Sequence, residues 1–159
     1  MRIDGWHIPA YGVLREFHAD SLAKHDVIVL LGDNETGKST FFSFLTTMLF
    51  GFKPASIDKH PYKIWGPGAP GGKLSLVLSD GEKAHIERRL LSSPQGKLIT
   101  QEGETSIENR PVPWVGALKR QMYRNLFALT LDEAVSFDDS TWHEVEEQLL
   151  GGASFDFLV

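Results

Sequence analysis

Between Val27 and Leu45 the chain reads VIVLLGDNETGKSTFFSFL, and no other stretch limits the fold so tightly. Residues 26–31 form a short run of β-branched and aliphatic side chains, the pattern of a strand buried on both faces. Residues 40–50 are strongly apolar with scattered hydroxyls, which predicts a buried helix, and Gly51 is a suitable stop for it. Between them, Gly32-Asp33-Asn34-Glu35-Thr36-Gly37-Lys38-Ser39 fits G-x-x-x-x-G-K-[ST] at every defined position. The reading is strand, tight loop, helix.

Each residue type in that loop has a physical purpose. Glycines let the backbone curl so that successive N–H groups point inward, toward phosphate oxygens. A helix starting near Gly37 adds its positive dipole end and its unpaired donors. Lys38 supplies a point charge to β- and γ-phosphates, and the Ser39 hydroxyl can ligate Mg²⁺. The candidate nucleotide contacts are Asn34, Glu35, Thr36, Gly37, Lys38, Ser39 and Thr40, with Ser39 on the metal. Glu35 is an unusual neighbour for a triphosphate, so its side chain is expected to face solvent or a partner chain. The loop specifies a nucleotide, not which nucleotide or what is done with it.

The rest of the chain sets bounds. Its 159 residues suit one domain of ordinary size, and 42% hydrophobic with 23% charged residues predicts a globular chain. Cysteine is absent, which removes disulfides, thiolate metal sites and a cysteine nucleophile, and fits a cytoplasmic setting. No apolar run approaches the roughly 20 residues of a membrane span, so no membrane is expected. A net charge of −5 gives no general attraction to nucleic acid.

Along the chain, residues 2–8 alternate as a half-buried strand, 9–12 read as a turn and 13–17 as a second strand. Residues 53–72 are rich in Pro and Gly and read as a long loop carrying Tyr62 and Trp65. Residues 73–107 read as an antiparallel meander, with Asp80-Gly81 as a hairpin turn. Residues 114–123 have helical spacing. Residues 125–131 are apolar and read as a strand or a buried loop. Residues 141–150 read as a helix capped by Ser140 or Thr141.

A complete ATPase of this kind needs an acidic residue at the end of a second buried strand. Leu126 to Leu131 followed by Asp132-Glu133 has that pattern. As a Walker B element, Asp132 would hold Mg²⁺ through water and Glu133 would activate the nucleophile, making Lys38 and Glu133 the catalytic pair. A strand ending in an acidic turn explains the same residues without chemistry. The guanine-specificity sequence Asn-Lys-x-Asp is missing, which removes a GTPase. A self-contained P-loop NTPase or small-molecule kinase stays open, with Arg88, Arg89, Arg110, Arg120 and Arg124 as unordered lid candidates.

Met1-Arg2-Ile3, the Tyr11-Gly12 turn, the run 27–31 and Gly32 to Thr40 fall in the order seen at the N-terminus of SMC-like ABC ATPases, which include RecF, SbcC and DNA-repair SMC-type proteins. The chain resembles the bacterial YhaN type most, through Phe50-Gly51-Phe52, Gly71-Gly72, Asp80-Gly81 and the segment Tyr123 to Glu133. The resemblance implies an α/β fold: a P-loop NTPase core, as in an ABC-ATPase N-lobe, with an antiparallel β-meander subdomain and a few helices. It moves Asp132-Glu133 to the place of the Q-loop, whose usual glutamine falls near Leu131. There a carboxylate could ligate Mg²⁺ instead. It implies ATP and Mg²⁺ as ligands. It also implies that residues 1–159 are the N-terminal part of a head lacking its coiled coil and C-terminal lobe. That lobe of the same parent would supply signature and Walker B, and ATP would drive homodimerisation of the full-length protein. A fragment of this kind should bind ATP weakly and hydrolyse little. DNA is implied as a partner by the resemblance alone.

Smaller features have two readings each. Leu149 to Ala153 superficially matches an ABC signature but follows the Asp-Glu segment, where a helix C-cap explains it. Arg15 could reach a nucleotide or be a surface charge. Tyr62 and Trp65 could stack on adenine or cap the core. Arg88, Arg89 and Lys97 could touch DNA phosphates in a full-length dimer, or be solvated strand charges. The histidines at 7, 18, 25, 60, 85 and 143 show no metal-ligand spacing.

Overall fold

The computed structural model describes residues 1–64, 66–115 and 118–127. The first compact unit is Met1–Pro113, and a second begins at Trp114. In chain order the first unit holds β1 (Arg2–Tyr11), β2 (Leu14–Ala19), helix α1 (Lys38–Phe50), β3 (Gly71–Val77), β4 (Lys83–Leu90), β5 (Pro94–Thr100) and β6 (Gly103–Ser106). The strands form one six-stranded sheet in the order β2-β1-β3-β4-β5-β6, with every pairing antiparallel. The meander expected over 73–107 is therefore β3 to β6. The second unit contributes a short 3₁₀ turn at Pro113–Val115, which begins in the last residue of the first, and helix α2 (Arg120–Phe127).

Alternation decides which face of the sheet is covered. Leu74, Leu76, Ala84, Ile86, Leu90 and Leu98 are buried on one face. Register brings Leu74 opposite Ile86 and Leu76 opposite Ala84, so the apolar faces of β3 and β4 coincide. The β3–β4 turn closes where sequence expects it, with Gly81 at φ +87° and the Leu78 N–H donating to the Glu82 carbonyl at 2.8 Å.

Helix α1 lies on that face. Phe41 packs on Trp6 and Phe17 with ring centroids 4.5 and 5.6 Å away, and Phe44 meets Tyr11 edge-on at 5.5 Å. Gly72 makes room for Phe44: a Cβ there would lie 3.1 Å from Phe44 Cε2 and 2.5 Å from the His7 carbonyl. The far end of α1 is held by distant residues. The Gly51 N–H donates to the Thr47 carbonyl at 2.8 Å, and Val112 N–H donates to Leu49 O at 2.9 Å. Arg88 Nε donates to Met48 O at 2.9 Å, while its two terminal nitrogens donate to Glu108 O and Arg110 O at 2.9 and 2.6 Å. Asn109 Oδ1 accepts from the Phe52 N–H at 2.7 Å, and Asn109 Nδ2 donates to the Phe52 carbonyl at 3.1 Å. Helix carbonyls that have no intrahelical partner are thereby satisfied inside the core.

Several expectations are corrected. The buried strand over 26–31 is absent: this segment joins no sheet, and Val27, Val29 and Leu31 are 76%, 70% and 88% exposed. A strand buried on both faces needs neighbours at its edges and cover above and below, and the described residues provide neither. β1 runs through Pro9 to Tyr11, where a turn was expected. A register shift between His7 and Ala10 accommodates the proline. The helix read over 114–123 starts only at Arg120, and 125–127 are its last residues and not a strand. Residues 141–150 lie outside the described residues.

Phe44 is fully buried between Tyr11, Phe41 and Gly72. Phe44→Ala should lower unfolding free energy by about 3–5 kcal/mol through lost burial and the cavity left behind. Urea denaturation followed by tryptophan fluorescence checks this; a loss below about 1 kcal/mol would contradict the packing described.

Candidate phosphate-binding site

The loop before α1 has the conformation its sequence requires. Gly37 caps the helix in the left-handed region at φ +101°, and no side chain caps it. A Cβ on Gly37 would lie 2.8 Å from Leu14 Cδ2 and 3.0 Å from Val13 Cγ2, so glycine is needed for both reasons. The first intrahelical bond is Phe41 N–H to Gly37 O at 2.8 Å. The amides of Lys38, Ser39 and Thr40 therefore have no acceptor within the helix. Lys38 Nζ folds over the loop and donates to Gly32 O and Asp33 O at 2.7 and 2.6 Å. Thr36 Oγ1 closes the loop by donating to Asp33 O at 2.8 Å. An exposed ammonium and three open amides, at the positive end of a helix, make a donor set suited to phosphate.

The structure brings Asn34, Glu35, Thr36, Gly37, Lys38, Ser39 and Thr40 together on one loop and the first helical turn. Asn34, Glu35, Lys38 and Ser39 are exposed. Glu35 holds φ +67°, a conformation costing a non-glycine residue roughly 1–2 kcal/mol. Thr40 is buried with its methyl against Gly12, so it offers the site its backbone amide. Arg15 turns back on its own hairpin, donating to the carbonyls of Gly12 and Leu14, each at 2.7 Å. Tyr62 stacks on Tyr11 with centroids 5.3 Å apart and planes at 20°, and its carbonyl accepts the Gly12 N–H at 2.9 Å. Asp132, Glu133 and Trp65 lie outside the described residues. The packing of Val13 and Leu14 against Gly37 is a contact that the motif does not reveal. Its sequence trace is the Tyr11-Gly12 turn, whose glycine has φ +56°.

Of the three basic residues considered for DNA, Arg88 does not lie on the outer face of the sheet. Arg88 is buried on the opposite, helix-covered side, because it continues the inward series Ala84, Ile86, Leu90. Lys97 pairs with Glu104 at 2.6 Å, and that hydrogen bond holds its ammonium above the usual lysine range. Lys73 pairs with Glu87 at 3.8 Å and Lys83 with Asp4 at 3.6 Å. Burial, then Lys73, pushes the His85 imidazole below its ordinary value, so it adds little positive charge near neutrality. Arg89 is exposed there. No cluster of three or more His, Asp or Glu among the described residues could hold a metal ion. No described helix is long and apolar enough to cross a membrane.

Comparison with known proteins bears on this loop. A family model described as an AAA domain matches residues 1–136. The uncharacterized protein YhaN of Bacillus subtilis (strain 168) is 28% identical over 128 residues, which cover 80% of this chain and 13% of that protein. The chain thus spans about 13% of the length of the curated relative it matches.

Two substitutions should move stability in opposite directions. Gly37→Ala meets both a left-handed backbone and the Leu14 side chain, and should cost about 1–3 kcal/mol. Glu35→Gly removes a strained residue at an exposed position and should gain up to about 1 kcal/mol. Paired denaturation curves test this; a neutral Gly37→Ala would contradict the loop conformation.

Proposed function

Because the chain belongs to the AAA domain family, we propose that it is the ATP-binding N-terminal lobe of an SMC-like ABC ATPase. Its P-loop would be one half of a site shared with other parts of a longer protein. The observation that carries this reading is the segment 26–31. It runs directly into the phosphate loop and has the composition of a central strand, yet its apolar side chains lie exposed, Leu31 at 88%. Leaving such a row uncovered is unfavourable by roughly 25 cal/mol per Å² of apolar surface. A C-terminal lobe of the same parent, pairing with 26–31, would cover it and complete a P-loop core.

In this account the open amides of 38–40 and the Lys38 ammonium hold the phosphates, and Gly37 lets the backbone approach them. Ser39 is the residue suited to Mg²⁺, whose chemistry when bound is to neutralise phosphate charge. The donor set fits: one cation, open helix amides and an exposed hydroxyl in one loop. Asp132 or Glu133 would stand in for the Q-loop residue. The parent would be a cytoplasmic ATP hydrolase whose heads pair when ATP is bound, acting in DNA repair or DNA metabolism. A self-contained NTPase with Asp132-Glu133 as Walker B is less well supported, since residues 125–127, where that reading begins its strand, are helical.

Lys38→Ala removes the single loop cation without touching the core. Titration with a fluorescent ATP analogue in Mg²⁺ should show affinity falling by tenfold or more, about 1.4 kcal/mol or greater. Unchanged binding would rule out the site. ATP turnover by the isolated chain that Glu133→Gln abolishes would favour the self-contained enzyme.

A further inference from the structure

We propose that the indole N–H of Trp6 is a docking donor, kept for a backbone carbonyl of the lobe that covers segment 26–31. This contact rests on the reading of 26–31 above and adds a second place where the lobe takes hold.

Trp6 is 5% exposed, and its Nε1 is buried with no hydrogen-bond partner. An indole N–H can only donate, and a buried one ordinarily finds an acceptor. Left without one, it bears the full cost of desolvation. Arg88 shows the contrast: it is equally buried, and its Nε and both terminal nitrogens each reach a carbonyl. The neighbours of Trp6 offer nothing comparable. Across the sheet it faces Ala19 on β2 and Leu74 on β3, and its ring packs on Phe17 and Phe41 with centroids 5.7 and 4.5 Å away. None of these side chains carries an acceptor.

The cluster lies at an open border of the unit. β2 is an edge strand, so no described strand flanks Phe17 on its outer side, and Phe17 is half-buried. Leu45, one turn beyond Phe41 on the same side of α1, is half-buried as well. The border is thus apolar, with one unmet donor beneath it. Trp6 keeps a small exposure, so side-chain shifts without a change of fold would admit an acceptor. The occupant must be apolar where it meets Phe17 and Leu45, and must bring one acceptor that is itself unpaired. A backbone carbonyl at the rim of a lobe meets both needs. Chain to supply that lobe exists in the relative, of which the matched region is 13%.

The test follows the Trp6 indole proton by NMR with ¹⁵N-labelled tryptophan, in the chain alone and in the full-length protein, with Trp6→Phe identifying the resonance. In the full-length protein the proton should resonate further downfield and exchange with D₂O about tenfold more slowly. A second variant, Trp6→benzothienylalanine, keeps the ring shape and has sulfur in place of the N–H. In the full-length protein it should speed amide exchange over 27–31 by about tenfold. The chain alone should lose no stability, because the donor removed has no partner there. An indole proton already as slow in the chain alone, held by a water or a second copy, overturns the proposal. Unchanged exchange over 27–31 in the full-length benzothienylalanine variant also overturns it. Protection gained at 27–31 but not at the Trp6 proton overturns the docking donor and leaves the covering lobe standing. Protection gained at neither overturns both.

Discussion

The packing of α1 on the sheet is the contact on which the rest of the structure depends. Phe41 and Phe44 seat the helix on Trp6, Phe17, Tyr11 and Gly72. That seat fixes the direction in which the helix N-terminus points, and with it the open amides of Lys38 to Thr40. The same contact brings Gly37 against Val13 and Leu14. Interiors packed at crystal-like density transmit small shifts, so a change in the seat would be felt at the loop. Hydrophobic burial and the proposed phosphate site are joined here through one helix.

The opposite end of α1 is anchored by buried polar contacts. Arg88 donates to three backbone carbonyls drawn from the helix end and from residues 108–110. Its position inside a hydrophobic face is tolerable because those donors are satisfied. Asn109 adds a paired bond with the Phe52 backbone. The helix is thus held by apolar packing along its length and by directed hydrogen bonds at its C-terminus. Its N-terminus is left open.

Much of this was legible in the sequence, and the failures have physical causes. Alternation over 73–78 announced the first strand of the meander, and Asp80-Gly81 announced its first turn. Arg88 falls on the inner face with Ala84, Ile86 and Leu90, where its charge argued for the surface. The carbonyls at 48, 108 and 110, distant in sequence, accept its donors there. Pro9 suggested a turn because a register shift cannot be seen from one strand alone. The start of α1 just after Gly37 was legible, since its requirements are local. Its buttress at Val13-Leu14 was not, because that contact joins residues more than twenty positions apart. Segment 26–31 is the most instructive case. Its composition states what environment it favours, but not whether the residues that would provide it lie within the described unit.

The central proposal is that segment 26–31, which leads into the loop before α1, is covered from elsewhere in a longer protein. Amide hydrogen exchange over residues 27–31, in the chain alone and in the full-length protein that carries it, tests this most directly. The account requires near-unprotected exchange in the chain alone and strong protection in the full-length protein. Strong protection of these amides in the chain alone, or none in the full-length protein, would contradict it.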